Sequence, residues 1–285
     1  MKLTLNFSKF KSFIIDLDGC VYRGEEPIEG AGEAISLLRR RGFKILFLTN
    51  NSTKTPEEYV EILRSMDIPV TSRNEVLTSA IATARYLRDR YGECRIFPVG
   101  MQGLLRALEE CNHQIIDEEN IDNAEFVVVG LDMNFNYQKL SLACRPIMKG
   151  AKFIATNTDS TLPSKAGLLP GAGAIVNAIK TVTGVEPVVI GKPSRIIMDV
   201  ALKVLDVNGD ECVVIGDRLD TDITAGKKIG AYTVLVLTGV IRKEDLEGLD
   251  NELKPDLVLE SIAAVSYTHL RAHETEADLV CRLLL

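Results

Sequence analysis

Residues 11–24 read KSFIIDLDGCVYRG. A short apolar run, Phe13, Ile14 and Ile15, ends on two aspartates, Asp16 and Asp18, with Gly19 directly after. Two carboxylates about 4 Å apart repel by roughly 4 kcal/mol at an effective dielectric near 20. Such a pair is kept either idle in water or at a site where positive charge offsets the repulsion. An apolar run with polar residues at its end is the pattern of a buried strand delivering those residues to the edge of a sheet.

The same pattern recurs along the chain. FIIDL, KILFLT, FVVVGL, KFIAT, PVVIG, CVVIG and TVLVLT read as strands, and KPDLVLESIAAV as a closing strand and the start of a helix. Their apolar runs are continuous, not alternating, as in parallel sheets covered on both faces. Between them AGEAISLLRRR, TPEEYVEILRSM, SRIIMDVALKVL and TDITAGKKIG read as helices, with Thr55 as an N-cap, Pro56 in the first turn, and Glu57 and Glu58 on the favourable end of the dipole. Repeated βα units predict an α/β fold built on a doubly wound parallel sheet.

The polar motifs are unevenly spaced. One βα unit separates Asp16 from TNNS (49–52), whereas the interval to GKPS (191–194) holds strands and helices of its own. We therefore expect a discontinuous core, 1–90 and 187–264, with a smaller α/β domain inserted at 91–186. In doubly wound sheets ligands bind at the carboxyl ends of the strands, so an insertion leaving that edge would roof the site.

The 285 residues carry a formal charge of −7, which gives no support to nucleic-acid or anionic-membrane binding. The N-terminus lacks the apolar core of a secretory signal, and no apolar run approaches membrane-spanning length. Six scattered cysteines form no C-x-x-C pair, the pattern of reduced thiols, and a cytoplasmic enzyme is expected. The end of the chain, VSYTHLRAHETEADLVCRLLL (265–285), does not continue the βα logic. It resembles the translation of a sequencing-library adaptor: GTC TCT TAT ACA CAT CTC CGA GCC CAC GAG encodes 265–274, and CTC GTA TGC CGT CTT CTG CTT encodes 279–285 in the same frame. We expect 265–285 to be non-native, with the natural C-terminus missing, which sets aside His269, His273 and Cys281 as site residues.

Four polar clusters each follow an apolar run: DLDG (16–19), TNNS (49–52), GKPS (191–194) and GDRLDTD (216–222). Singly each is explained by a turn, a calcium loop or a helix cap; in this order at strand ends they point to one shared site. Together they resemble the four motifs of the haloacid dehalogenase (HAD) superfamily, with the long insertion where members of subfamily IIA carry a C2-type cap. NTDSTLPSKAGLLPGAGA, GKPSRIIMD and GDRLDTDI are similar to the 4-nitrophenylphosphatase and phosphoglycolate phosphatase branch.

That resemblance implies a Rossmann-like core and a Mg²⁺-dependent phosphomonoester hydrolase working through an aspartyl-phosphate. Asp16 would be the nucleophile and Asp18 the general acid and base, with Gly19 allowing the tight turn behind the strand. The metal ligands would be Asp16, the Asp18 carbonyl and Asp217, with Asp222 just outside the ligand set. Thr49, Asn50 and Lys192 would bind the phosphoryl group. Asn51 and Ser52 are expected to cap the next helix, and Arg218 to brace the metal carboxylates or stand in solvent. Asp132 and Asp159 sit at strand ends of the insertion, facing substrate or capping helices. Cys20 reads as a packing residue and His113 as a surface histidine. Leu162 stands where pyridoxal-phosphate phosphatases have a histidine, which argues against that substrate.

The expected partner is a small phosphorylated metabolite of the phosphoglycolate or 4-nitrophenyl phosphate type, with no nucleic acid or membrane, and a homodimer through the cap is a family habit. A sugar-phosphate or nucleotide monophosphatase on the same core is the alternative, and a phospho-accepting regulatory switch is a rival of another class. Asp18 opposes the switch, which has no use for a proton donor two residues past the phosphorylated aspartate. If the tail is foreign, removing it leaves hydrolysis unchanged in a steady-state assay; lost activity would show that it belongs to the protein.

Overall fold

The computed structural model describes residues 9–164, 167–246, 248–250 and 253–265. Among these, six parallel strands form one sheet in the order Leu257–Leu259, Tyr232–Val236, Cys212–Gly216, Ser12–Asp16, Lys44–Thr49, Val76–Thr78. The first strand in sequence lies inside the sheet. Chain order runs outward from it on one side through Lys44–Thr49 and on the other from Cys212–Gly216, so the order reverses at Ser12–Asp16. That reversal opens the crevice in which ligands bind in such sheets, and Asp16 stands at its mouth.

The unbroken apolar runs have the predicted cause. Phe13 and Ile15 pack with Ile35, Leu38, Phe47, Leu63, Val213 and Ile215 on one face. Ile14 faces the other way with Leu46, Leu48, Val214, Ile197 and Met198. Helix Ala31–Arg40 buries Ala31, Ala34, Ile35 and Leu38. Helix Pro56–Ser65 starts as expected: Thr55 Oγ1 accepts from Glu58 N–H, and Glu58 Oε2 accepts from Thr55 N–H at 2.7 Å, a capping box. Fully burying each such Ile, Leu or Phe side chain contributes roughly 1.5–3 kcal/mol.

A second parallel sheet has the order Val188–Val189, Lys152–Ala155, Phe126–Val129, Arg95–Val99, Gln114–Ile115. Helices Tyr137–Met148 and Ala172–Thr183 cover one of its faces through Val99, Val127, Val129, Phe153 and Ile179. Its other face, with Ile96, Val128 and Ile154, joins the same apolar cluster as Ile14 and Leu46 of the first sheet. Helices Ser79–Tyr91, Gln102–Glu110 and Arg195–Leu205 lie in that shared cluster, so the insertion is packed onto the first sheet.

Four sequence expectations change. PVVIG was expected to be a strand of the first sheet; only Val188–Val189 is extended, and it pairs with Ile154 and Ala155 at the edge of the second sheet. Val188 is correspondingly exposed, as a short edge strand allows. The second sheet therefore runs past the expected seam at Glu186. His113 is buried: its Nδ1 accepts from Cys94 N–H at 3.3 Å and its Nε2–H donates to Ala84 O at 3.0 Å, so it bridges two backbone segments. TDITAGKKIG is not one helix but a wide π-type turn, Leu219–Ile223, leading into Thr224–Lys228. Asn51 and Ser52 do not cap the next helix. Asn51 Oδ1 accepts from Thr53 N–H at 2.9 Å, and Ser52 Oγ accepts from Thr156 Oγ1 at 3.3 Å.

Val265, the first tail residue, is buried with Ile262 against the first sheet, and 266–285 lie outside the described residues. The truncation that tests the tail reading therefore starts at Ser266. Ile15 is fully buried beside Phe47 and Ile215. Replacing Ile15 by Ala should cost about 2–5 kcal/mol of stability in a denaturant titration; a loss under about 1 kcal/mol would contradict this packing.

Candidate active site

The register of the first sheet fixes the centre of the site. Asp16 pairs alongside Leu48, so Thr49 ends its strand beside it, and Gly216 ends the neighbouring strand with Asp217 next in sequence. Asp16, Asp18, Gly19, Thr49, Asn50, Lys192, Asp217 and Asp222 line one cleft of about 300 Å³. The cleft thus brings together every candidate catalytic, metal and phosphoryl residue from the four clusters.

Carboxylate oxygens of Asp16, Asp217 and Asp222 all lie within 4.8 Å of one another. Lys192 is 5% exposed, and its ammonium donates to Asp16 Oδ1, to Asp222 Oδ1 at 2.6 Å and to Leu48 O at 3.2 Å. All three of its protons are thereby placed. Burial opposes the ammonium, but Asp16 and Asp222 outweigh it and raise the lysine's pKa. Burial raises the Asp16 pKa well above the usual carboxylate range, against Lys192 and with Asp222 and Asp217 adding to the rise. Burial and Asp222 push Asp217 up to about 6. Three carboxylates against one ammonium leave an excess of about two negative charges, which hard oxygen donors at this spacing would resolve by holding a divalent cation. The donor set fits Mg²⁺.

The peptide joining Lys192 to Pro193 is cis. Lys192 enters from the edge of the second sheet, and Asn50 holds its backbone there. Asn50 Oδ1 accepts from Lys192 N–H at 2.7 Å; Asn50 Nδ2 donates to Lys192 O at 2.9 Å and to Asp159 Oδ2 at 3.1 Å. Both amide protons of Asn50 are thus committed to protein acceptors. Thr49 Oγ1 accepts from Asn51 N–H at 3.1 Å, and Thr49 bonds the Tyr59 hydroxyl. Asp18 is more exposed than Asp16; partial burial raises its pKa against hydrogen bonds from the backbone of Gly24 and Gly19 and the charge of Arg23.

The sequence also matches known proteins. The haloacid dehalogenase-like hydrolase profile covers residues 13–114, and a HAD-hydrolase-like profile covers 189–265. The acid sugar phosphatase of Staphylococcus haemolyticus is 42% identical over 243 residues, 85% of this chain and 91% of the relative. The 5'-nucleotidase YutF of Bacillus subtilis is 40% identical over 89% of this chain and 96% of its own length. Among solved structures, the p-nitrophenyl phosphatase of Archaeoglobus fulgidus superposes with a TM-score of 0.84 at 38% identity, covering 90% of this chain and 99% of that one.

The chain belongs to the haloacid dehalogenase-like hydrolases. Within that family it is a phosphatase of subfamily IIA. No helix of the described residues is long and apolar enough to cross a membrane.

Several residues of this HAD site were not legible. Tyr22, Arg23, Tyr59, Thr161, Thr221, Gly239 and Val240 also line the cleft. One signal was available for Gly239: LTGV (237–240) follows the strand Tyr232–Val236 as the four recognised clusters follow theirs. Val240 N–H donates to Asp217 Oδ2 at 3.0 Å. Gly19 has a φ of +83°, and a Cβ there would meet Asp217 Oδ2 at 2.5 Å, so both its conformation and its closeness require glycine.

The two aspartates of the insertion separate. Asp159 lines the cleft, bonded to Asn50 and with its Oδ1 3.8 Å from Arg218 Nη1. Asp132 instead pairs with Lys139 at 2.6 Å and accepts from Asn134 N–H, bracing the turn before helix Tyr137–Met148. Arg218 grips Asp220 through Nε at 3.1 Å and Nη2 at 2.7 Å with 36% of its side chain exposed, so it stands partly in solvent, and its side chain does not bond Asp16, Asp217 or Asp222. Cys20 is fully buried, as expected of a packing residue. Leu162 also lines the cleft.

A Cβ at Gly239 would lie 1.8 Å from Asp217 Oδ2. Gly239→Ala should therefore displace that carboxylate and raise the Mg²⁺ concentration needed for half-maximal activity by about tenfold, some 1.4 kcal/mol. An unchanged metal requirement would dissociate Asp217 from the metal.

Proposed function

We propose that the protein hydrolyses small phosphomonoesters, with magnesium, through an aspartyl-phosphate formed on Asp16. The observation that carries this reading is the buried cluster of Asp16, Asp217 and Asp222 around a single ammonium, at the point where strand order reverses.

Asp16, Asp217 and the backbone carbonyl of Asp18 are the proposed metal ligands, with Asp222 at the border of the set. When bound, Mg²⁺ supplies the positive charge that lets a carboxylate approach a phosphate dianion. Asp16 attacks phosphorus and the bond to the ester oxygen breaks. Asp18 gives that oxygen its proton, and its pKa, raised by partial burial, suits the protonated form this needs. Water then attacks the aspartyl-phosphate while Asp18, now ionised, takes its proton, which releases phosphate and restores Asp16.

Lys192 neutralises charge on Asp16 and the phosphoryl oxygens and is held in line by Asp222. Thr49 is a proposed phosphoryl contact. With both its side-chain protons committed, Asn50 is proposed to act by holding Lys192, and any phosphoryl contact it makes would come from its backbone N–H. The cleft of about 300 Å³ suits a small leaving group. The names of the relatives, acid sugar phosphatase and 5'-nucleotidase, favour a sugar phosphate or nucleotide beside the glycolate phosphate and 4-nitrophenyl phosphate expected from the sequence. A cytoplasmic location and a homodimer through the insertion remain part of this proposal.

Asp16→Asn should lower kcat on 4-nitrophenyl phosphate by at least about a thousandfold, roughly 4 kcal/mol of barrier, with an unchanged melting curve. Near-normal turnover would remove Asp16 as nucleophile. Chelation with EDTA should silence the wild-type enzyme and added Mg²⁺ should restore it; activity that survives chelation would exclude the metal reading.

A further inference from the structure

We infer that Asp159 is a specificity-determining residue that turns away phosphomonoesters with an anionic leaving group and favours neutral, hydroxyl-bearing ones. The inference rests on the phosphatase reading of the same cleft.

Asp159 reaches the site from the second sheet, four residues beyond the end of strand Lys152–Ala155. Its position is set from three sides. Its N–H donates to Asn157 Oδ1 at 3.1 Å, its Oδ2 accepts from Asn50 Nδ2 at 3.1 Å, and its Oδ1 lies 3.8 Å from Arg218 Nη1. Asn50 is the residue that also holds Lys192, and Lys192 bonds Asp16. A short bonded path therefore connects Asp159 to the proposed nucleophile, and both line one cleft.

Five carboxylates line that cleft, from Asp16, Asp18, Asp159, Asp217 and Asp222, against three cations, Lys192, Arg23 and Arg218. A bound divalent cation and a phosphate dianion cancel, so the cleft around the leaving group stays net negative. The two cations that act on Asp159, Lys192 and Arg218, are already paired with carboxylates. Lys192 donates to Asp16, Asp222 and Leu48 O. Arg218 is bidentate on Asp220 and turns Nη1 toward Asp159. Arg23 is exposed and donates to Thr238 O, which leaves its charge at the solvent side of the cleft. A carboxylate on the leaving group beside Asp159 would find the adjacent cation, Arg218, already shared between Asp159 and Asp220, and a desolvated like-charge contact is an effective means of rejection. A hydroxyl in the same place donates to Asp159. A site built to bond a substrate hydroxyl discriminates strongly against analogues that lack it.

Glycolate phosphate and 2-hydroxyethyl phosphate form a matched pair, with a carboxylate in one where the other has a hydroxymethyl group. Their kcat/KM values on the magnesium-loaded wild type near neutral pH, with 4-nitrophenyl phosphate as the reference substrate, test the inference. We expect at least a tenfold preference for 2-hydroxyethyl phosphate, about 1.4 kcal/mol. Asp159→Asn should shrink that preference at least about fivefold, chiefly by lowering KM for glycolate phosphate. Equal or reversed preference in the wild type overturns the assignment of leaving-group class. An unchanged ratio in an Asp159→Asn enzyme that melts like wild type overturns the role of Asp159. Absent turnover of 4-nitrophenyl phosphate by the wild type would remove the phosphatase reading itself, a distinct result.

Discussion

Three carboxylates share a buried space with a single ammonium at the carboxyl edge of a parallel sheet, and the rest of the site follows from that imbalance. Burial of charge is costly unless each group is paired. Lys192 meets part of the requirement by bridging Asp16 and Asp222. The residual negative charge suits the cluster to a divalent cation, and in the proposed function a cation there would draw the phosphate. The like-charged pair in DLDG is therefore kept apart in role: Asp16 is drawn into the buried cluster, while Asp18 stays at the more open part of the cleft with its own hydrogen bonds.

Holding charged groups this close requires rigid backbone on every side. The central strand is buried on both faces, and neighbouring strand ends deliver Thr49 and Asp217 without a long loop. Gly19 and Gly239 let the backbone close against the Asp217 carboxylate where any side chain would collide with it. The wide turn at Leu219–Ile223 brings Asp222 back toward Lys192, a local departure from regular helix of a kind frequent at functional sites.

The second sheet is more than a cover. It shares an apolar cluster with the first sheet, and its strand-end residues Thr156 and Asn157 bond Ser52 and the Asn50 carbonyl. Asn50 is the junction, bonded to Lys192 on one side and to Asp159 on the other. Lys192 and Asp159 are thus positioned by one amide, which in the proposed roles would couple the site of chemistry to that of recognition.

The doubly wound architecture and the four polar clusters were legible in the sequence because both are local: a continuous apolar run ending in polar residues is a pattern of adjacent positions. What remained hidden depends on contacts between distant positions. PVVIG has the composition of a core strand, yet Val188–Val189 pairs at the edge of the other sheet, a choice made by partners that local pattern does not reveal. RIFPV forms a strand inside the second sheet although Pro98 interrupts its apolar run. His113 looked solvent-facing because its two backbone partners lie 19 and 29 residues away. The identity of the chemical groups at the site was thus fixed by short motifs, whereas the burial, the clustering of Asp16, Asp217 and Asp222, and the orientation of Asn50 and Asp159 arose only when separate segments packed together. Charge and hydrogen-bond commitment are properties of distances in space, and those distances exist only in the folded chain.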